Sequence, residues 1–405
     1  MSVQSAMYSG ISGLYTNGES MSVIGNNIAN VNTIGFKQGR TLFSDMLSTT
    51  INQGQIGRGG QIQAVQNIYS QGSFENTGSS TDLAIQGDGM FVLADSNGLG
   101  HFYSRAGAFS FDRNQILTNA DSYKVLGFGI SNGVSDGVLA PIDLTRFANV
   151  PPRATATMGL VANLDATQTP PPPAWDPTLA TFNPNTASNF STSSPVYDIQ
   201  GNTKSLTVFF RNTGANTWEA NTFDGTTYSA AGAGIPITFD ANGSIASVNG
   251  VAGATSLSTN GLTLELAGTT QYTSSSTIFS QTQDGYVAGN LTKVIVDQEG
   301  YVRGMYTNGQ EQKLAQVAVA RFASTDGLEK LGGSLFGETA ASGTALISSG
   351  NTDSNRVLSN SLEQSNVDLA EQLVKMITTQ RAYSANSKTI TTADQMMQDT
   401  LNLVR

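Results

Sequence analysis

The chain has 405 residues, with 20 Lys and Arg against 30 Asp and Glu for a formal charge of −10, and it contains no cysteine. That length exceeds one ordinary domain of roughly 100–200 residues, so two to four structural units are expected. The absence of cysteine excludes disulfides and thiol chemistry, the single histidine, His101, excludes His-based metal clusters and most Ser-His catalytic arrangements, and no basic stripe offers a nucleic-acid surface.

Charged residues make up 12% of the chain and glycine supplies 43 positions; the charged share is about half the usual one of roughly 25%. The surface is therefore expected to be polar, uncharged and rich in turns. No apolar run approaches the roughly 18 residues that a membrane-spanning helix needs, so no membrane insertion is expected. The first 30 residues carry one charge, Glu19, and lack the pattern of a cleaved secretory signal, so any export is expected to proceed without one.

From the N-terminus, Met7, Ile11, Leu14, Gly18, Met21, Ile24, Ile28 and Val31 recur in steps of three and four, which predicts an amphipathic helix. Gly10, Gly13, Gly18 and Gly25 each cost such a helix roughly 0.8–1 kcal/mol relative to alanine. It should fray alone, while against a partner its glycines would permit close approach. The seam then runs into Asn26-Asn27-Ile28-Ala29-Asn30-Val31-Asn32-Thr33-Ile34-Gly35-Phe36-Lys37, a cluster that favours helix termination and left-handed backbone, with Phe36 placed to anchor the next loop.

The interior reads as short β-rich runs meeting at Asx and glycine turns: 109–111 before Asp112-Arg113-Asn114, 237–239 before Asp240-Ala241-Asn242-Gly243, and 293–296 before Asp297-Gln298-Glu299-Gly300. Hairpins are expected there, since no turn continues into the spacing of a calcium loop. Gly87-Asp88-Gly89 has no third glycine and no following helix, so it reads as a turn and not a phosphate cradle. His101 has no identifiable nucleophile by spacing and reads as structural. All eleven prolines fall between Pro141 and Pro236, which discourages long helices there and permits them at both ends. Pro170-Pro171-Pro172-Pro173 reads as a stiff surface loop.

The strongest periodicity is C-terminal. Leu362, Asn366, Leu369, Leu373, Met376, Gln380, Tyr383, Ser387, Ile390, Asp394, Met397, Leu401 and Val404 alternate in steps of four and three, predicting one long helix within residues 358–405, up to about 72 Å long. Neither terminal helix can bury its seam alone, so each is the other's expected partner. Two ordinary amphipathic helices lying on a globular core would have the same spacing.

Several blocks carry a family resemblance. Asn26, Asn27, Ala29, Asn30, Thr33, Gly35, Phe36 and Lys37 match the N-terminal signature of bacterial flagellar rod, hook and hook-junction proteins, followed by blocks at 43–47 and 82–91. The segments 362–370, 380–383 and 390–396 are similar to the family's C-terminal signature. Met90 stands where the family often has an aromatic residue. Within the family, the length and the single large β-rich insertion are most similar to the hook branch.

The resemblance implies a mainly β protein with long α-helical terminal segments packed as a coiled coil, the chain leaving and returning through nested domains. The expected division is 1–32 with 358–405 as the terminal helical domain, 33–70 as a connecting segment, 71–146 with 285–357 as an inner β-rich domain, and 147–284 as an outer one. It implies a non-enzymatic subunit without cofactor or metal, self-assembling into a flexible tubular joint that transmits torque from rod to filament. Its implied partners are other copies of itself, the rod, hook-filament junction proteins, the hook cap and the type III export apparatus, and its location is the hook, outside the cell. The seams above would be the self-assembly surface, with residues 1–30 and 358–405 disordered in the monomer and helical in the polymer. A distal-rod-type shaft protein and a secreted β-rich glycan-active enzyme, whose carboxylate pairs no spacing excludes, are the alternatives.

Overall fold

The computed structural model describes residues 3–46, 50–51, 54–55, 58–95, 97–98, 100–131, 133–172, 174–228, 234–259, 261–352 and 355–403. Among them the chain is mostly β-strand, with two long helices, α1 (Val3–Ala29) and α2 (Leu369–Leu403), at its ends. It divides into two compact units: one of Met1–Phe147, Lys293–Met305 and Glu311–Arg405, and a middle unit of Ala148–Thr292 with Tyr306–Gln310.

The terminal unit is built on one large sheet. Its strands lie in the order Tyr301–Tyr306, Glu311–Arg321, Lys124–Ser131, Met90–Ala94, His101–Ser104, Leu335–Gly337 and Glu329–Gly332. Strand Glu311–Arg321 pairs first with Lys124–Ser131 and then, through Val319 and Ala320, with Met90–Ala94. All five residues of Met90–Ala94 are buried, the near-continuous apolar run of a strand covered on both faces. Met90 lies in a core with Val92, Tyr103, Leu126, Ala318 and Phe336.

The middle unit has two sheets over a shared core. One is an antiparallel meander of Phe190–Tyr197, Thr203–Gly214, Thr217–Phe223, Ile235–Phe239, Ile245–Val248 and Val251–Ala252. The other is centred on Thr157–Asp165, which pairs in parallel with Leu262–Glu265 and Thr270–Tyr272 and antiparallel with Thr277–Gln283. Leu160, Leu164 and Leu264 of the second sheet pack with Val208, Phe210 and Trp218 of the first. A second aromatic cluster of Trp175, Phe182, Phe209, Phe223 and Tyr228 pins the proline-containing loop. Pro170 and Pro172 are exposed, and Pro173 lies outside the described residues.

The Asx turns are built alike. In Asp112, Asp240 and Asp297 one carboxylate oxygen accepts backbone N–H bonds from the residues two and four further on, at 2.8–2.9 Å. The carboxylates thus close hairpins, and no group of three or more His, Asp or Glu suited to a metal occurs among the described residues. His101 is exposed at the start of its strand.

Four expectations need correction. Residues 285–292 and 306–310, expected in the inner domain, pack with the middle unit, because Gly289 and Asn290 pair with Val150 and Asn149 and the Asn290 N–H donates to Thr307 Oγ1. The C-terminal helix does not reach back to Leu362. Strand Ser361–Glu363 pairs there with Phe74–Asn76, and Asp368 caps α2 by accepting from the Ala370 and Glu371 N–H groups. Val31 lies past the end of α1, which stops at Ala29. Finally, Gly18 and Gly25 face open space and mediate no close approach.

Candidate functional site

The two terminal helices lie against each other and run antiparallel. A Cβ on Gly10 would stand 2.8 Å from Ile390 Cγ1, one on Gly13 would stand 2.5 Å from Asn386 Nδ2, and at the other end Asn27 donates to Gln372 Oε1 at 3.2 Å. Contact is therefore made through small and polar residues. From Ala6 onward the buried positions of α1 are Gly10, Thr16, Ser20, Ile24 and Asn27, a line that lies beside the apolar seam and coincides with it only at Ile24. A hairpin of Gly39–Asp45 and Gly60–Asn67 covers another flank of α1: Thr41 donates to the Ser20 hydroxyl and Val23 approaches Gly39.

This packing leaves much of the predicted seams outward. Met7, Leu14, Met21 and Ile28 are half-buried, while Ile11 is 50% exposed, beside Tyr8 and Tyr15. On α2, Met376, Ile390 and Met397 are half-buried and face inward with Gln372, Asn386 and Ala393. Leu369, Leu373, Tyr383 and Leu401 are exposed, joined by Val374, Ile377 and Met396. Leu362 is buried in its strand, and Val404 lies outside the described residues. Large apolar side chains thus stand at solvent along both helices, and among the described residues none covers them.

The signature motif ends α1 and ties it to the rest of the unit. Asn27 is buried and reads the backbone of Gly39 twice: its Nδ2 donates to the Gly39 carbonyl at 2.8 Å, and the Gly39 N–H donates to its Oδ1 at 2.9 Å. Asn30 donates to the carbonyl of Asn26, and Thr33 donates to Asn30 Oδ1, closing the helix end beyond Ala29. Gly35 has φ +67°, and a Cβ there would meet the Ala106 nitrogen at 2.5 Å; both facts require glycine. Phe36 lies beneath Lys330, whose Nζ is 5.2 Å from the ring centre.

Lys37 belongs to a buried charge cluster. Its Nζ donates to Glu363 Oε1 at 2.6 Å and to the Ser70 carbonyl at 2.8 Å. Arg105 holds the other oxygen of the same carboxylate at 3.2 Å and donates to the carbonyls of Ile85 and Gly87. The Gly72 N–H also donates to Glu363, and the Gly35 N–H donates to the Glu363 carbonyl. Burial pushes the Lys37 ammonium below its ordinary range; Glu363 opposes the shift and Arg105 adds to it. Arg105 is likewise lowered by burial, against the attraction of Glu363 and Asp88. Lys37 is marked in the sequence by its motif, and Glu363 by a separate block. Arg105 carries no signal, since it joins them only through the sheet.

Four family models match this chain: Flagella basal body rod protein over residues 7–37, Flagellar hook protein FlgE/F/G D1 domain over 84–157, Flagellar basal body protein FlaE D2 domain over 163–286, and Flagellar basal body rod FlgEFG protein C-terminal over 358–403. The chain is 34% identical over 409 residues to the flagellar hook protein FlgE of Salmonella typhimurium, covering 97% of this chain and 98% of that one. It is 34% identical over 452 residues to that of Borreliella burgdorferi, covering 98% and 99%, and 30% identical over 415 residues to that of Brucella melitensis, covering 100% of both. The crystal structure of Helicobacter pylori flagellar hook protein FlgE2 aligns with a TM-score of 0.50 at 14% identity, over 70% of this chain and 98% of that one, a likeness of fold. With identity at this level along essentially the whole length of the chain, it belongs to the flagellar hook protein family.

Proposed function

We propose that this chain is the structural subunit of a bacterial flagellar hook, a self-assembling tube that acts as a flexible joint carrying torque from rod to filament. Full-length identity to hook proteins carries the reading, and the outward apolar faces of α1 and α2 supply its physical basis. In the polymer, helices of neighbouring copies pack as coiled coils along these faces, burying surface that a single chain leaves in water. The exposed seam residues Ile11, Leu369, Leu373, Tyr383 and Leu401 are the proposed contacts between copies, and the Asn26–Lys37 motif holds the helices in place.

Residues 1–32 with 358–405 then build the tube wall, 33–70 connect it to the β-rich part of the terminal unit, and the middle unit tunes curvature and stiffness. The subunit meets the rod at one end of the hook and junction proteins at the other, and is delivered through the type III export apparatus without a cleaved signal to assemble beneath a cap. Its role is structural and not enzymatic. A surface with few charges suits neighbouring subunits that must slide as the joint bends, since specific ion pairs would hold one register.

The test is to salt out the full-length chain with sulfate and image it by negative-stain electron microscopy beside a variant lacking residues 1–30 and 358–405. Curved or bendable tubes from the full chain alone are expected. Straight rigid tubes would support a rod-type shaft, and absence of any polymer even with a cap protein supplied would overturn the reading.

A further inference from the structure

The cluster of Lys37, Glu363 and Arg105 bears on the order in which the chain folds. Two buried cations share one carboxylate, and that carboxylate lies 326 residues beyond one of them and 258 beyond the other. The side chains of Lys37 and Glu363 are fully buried and that of Arg105 is nearly so. The remaining contacts of the two cations are neutral: the Ser70 carbonyl for Lys37 and the Ile85 and Gly87 carbonyls for Arg105. Asp88 attracts Arg105, but among the described residues it is not within ion-pairing distance.

Burying a cation against neutral oxygens alone is strongly unfavourable, and a buried pair that lacks one partner is much worse than no pair at all. The early-chain backbone that touches these cations is at Ser70, Ile85 and Gly87, and the strand Leu83–Gly87 is itself paired with Asn355–Ser359 from the C-terminal end. The early backbone could close over Lys37 and Arg105 before residue 363 is in place only by enclosing two uncompensated charges.

We propose that Glu363 is a folding latch: the region around Lys37 and Arg105 stays open until strand Ser361–Glu363 docks, so a chain delivered N-terminus first does not close this region until its C-terminal end arrives. The latch does not depend on the hook reading. It operates within one chain, and a chain that never polymerised would show it equally.

Two backbone hydrogen bonds between early residues report on closure: Ile68 N–H to the Gln38 carbonyl at 2.8 Å and Leu83 N–H to the Gly107 carbonyl at 2.9 Å; their neighbours Asn366 and Ser359 come from the C-terminal end. The Gln364 N–H, bonded to the Ser73 carbonyl at 2.8 Å, reports docking of the C-terminal strand. In pulse-labelled hydrogen exchange during refolding of the full chain, Ile68 and Leu83 should gain protection together with Gln364. Glu363→Gln keeps the shape and removes the charge, and should speed native-state exchange at Ile68 and Leu83 about a hundredfold or more. The charge-free combination Lys37→Met, Arg105→Met and Glu363→Leu should restore their protection to within about tenfold of the parent. Protection of Ile68 and Leu83 before Gln364 in the parent chain would overturn the latch. So would unchanged exchange in Glu363→Gln, or a charge-free chain as disturbed as the single variant, which would mark a packing role.

Discussion

Individual side chains show how local chemistry separates positions that look equivalent on paper. Gly18 and Gly35 are both glycines near the N-terminus, yet a Cβ on Gly18 meets nothing within 4 Å, whereas one on Gly35 meets backbone at a φ of +67°. Gly18→Ala should raise stability by about 0.5–1 kcal/mol through helix propensity. Gly35→Ala should cost roughly 2–4 kcal/mol through left-handed strain and a backbone clash that cannot relax; urea unfolding of the two variants measures both. A tyrosine gives a pH signature. Burial pushes the Tyr69 hydroxyl up to about 12, against about 10 in the unfolded chain. Between those values the unfolded state loses the proton and the folded state keeps it, so stability present below pH 10 is lost as pH rises toward 12. Urea midpoints across that range should fall for the parent chain, and less steeply for Tyr69→Phe.

At the scale of elements, the helices bury one side and present another. In the antiparallel contact of α1 with α2, Gly10 and Gly13 leave room for Ile390 and Asn386 to approach, and the paired strands Gly39–Asp45 and Gly60–Asn67 take a further flank. What remains outward on α2 includes Leu373 and Ile377. Leu373→Asp with Ile377→Asp should leave the monomer's far-ultraviolet circular dichroism and urea midpoint within about 0.5 kcal/mol of the parent, since exposed sites contribute little to folding. The same pair should abolish sulfate-induced polymer, because a carboxylate desolvated at an apolar interface has no partner. Sedimentation alongside circular dichroism separates the two effects. Polymer formed at the parent's protein concentration would remove this face from the proposed contacts.

For the whole molecule, two compact units divide the chain, and the two sheets of the middle one share a core of their own. Replacing residues 148–292 with a short linker should therefore preserve polymerisation while changing tube curvature or stiffness, checked by electron microscopy of sulfate-grown assemblies. Complete loss of polymer, with the terminal unit still folded by circular dichroism, would count against that division of labour.

Much of this was legible in the residues themselves. Proline confined to 141–236 left helices possible at the ends, and Asp-led turns at 112, 240 and 297 announced hairpins, because each is local chemistry acting over four residues. The Asn26–Lys37 block marked a helix end for the same reason. The inward line of each helix was not legible. Periodicity locates apolar residues but cannot say whether they face the same chain or another copy: the inward line of α1 is largely small and polar, α2 turns Met376, Ile390 and Met397 inward, and Ile11, Leu373 and Leu401 look outward. Nor could spacing show that the segment at Leu362 forms a strand, since that depends on pairing with Phe74–Asn76 far away in sequence. The union of Lys37, Arg105 and Glu363 was equally hidden. An ion pair between residues 326 apart exists only once the sheet has brought them together, and burial, which makes the pair matter, is a property of the folded unit alone.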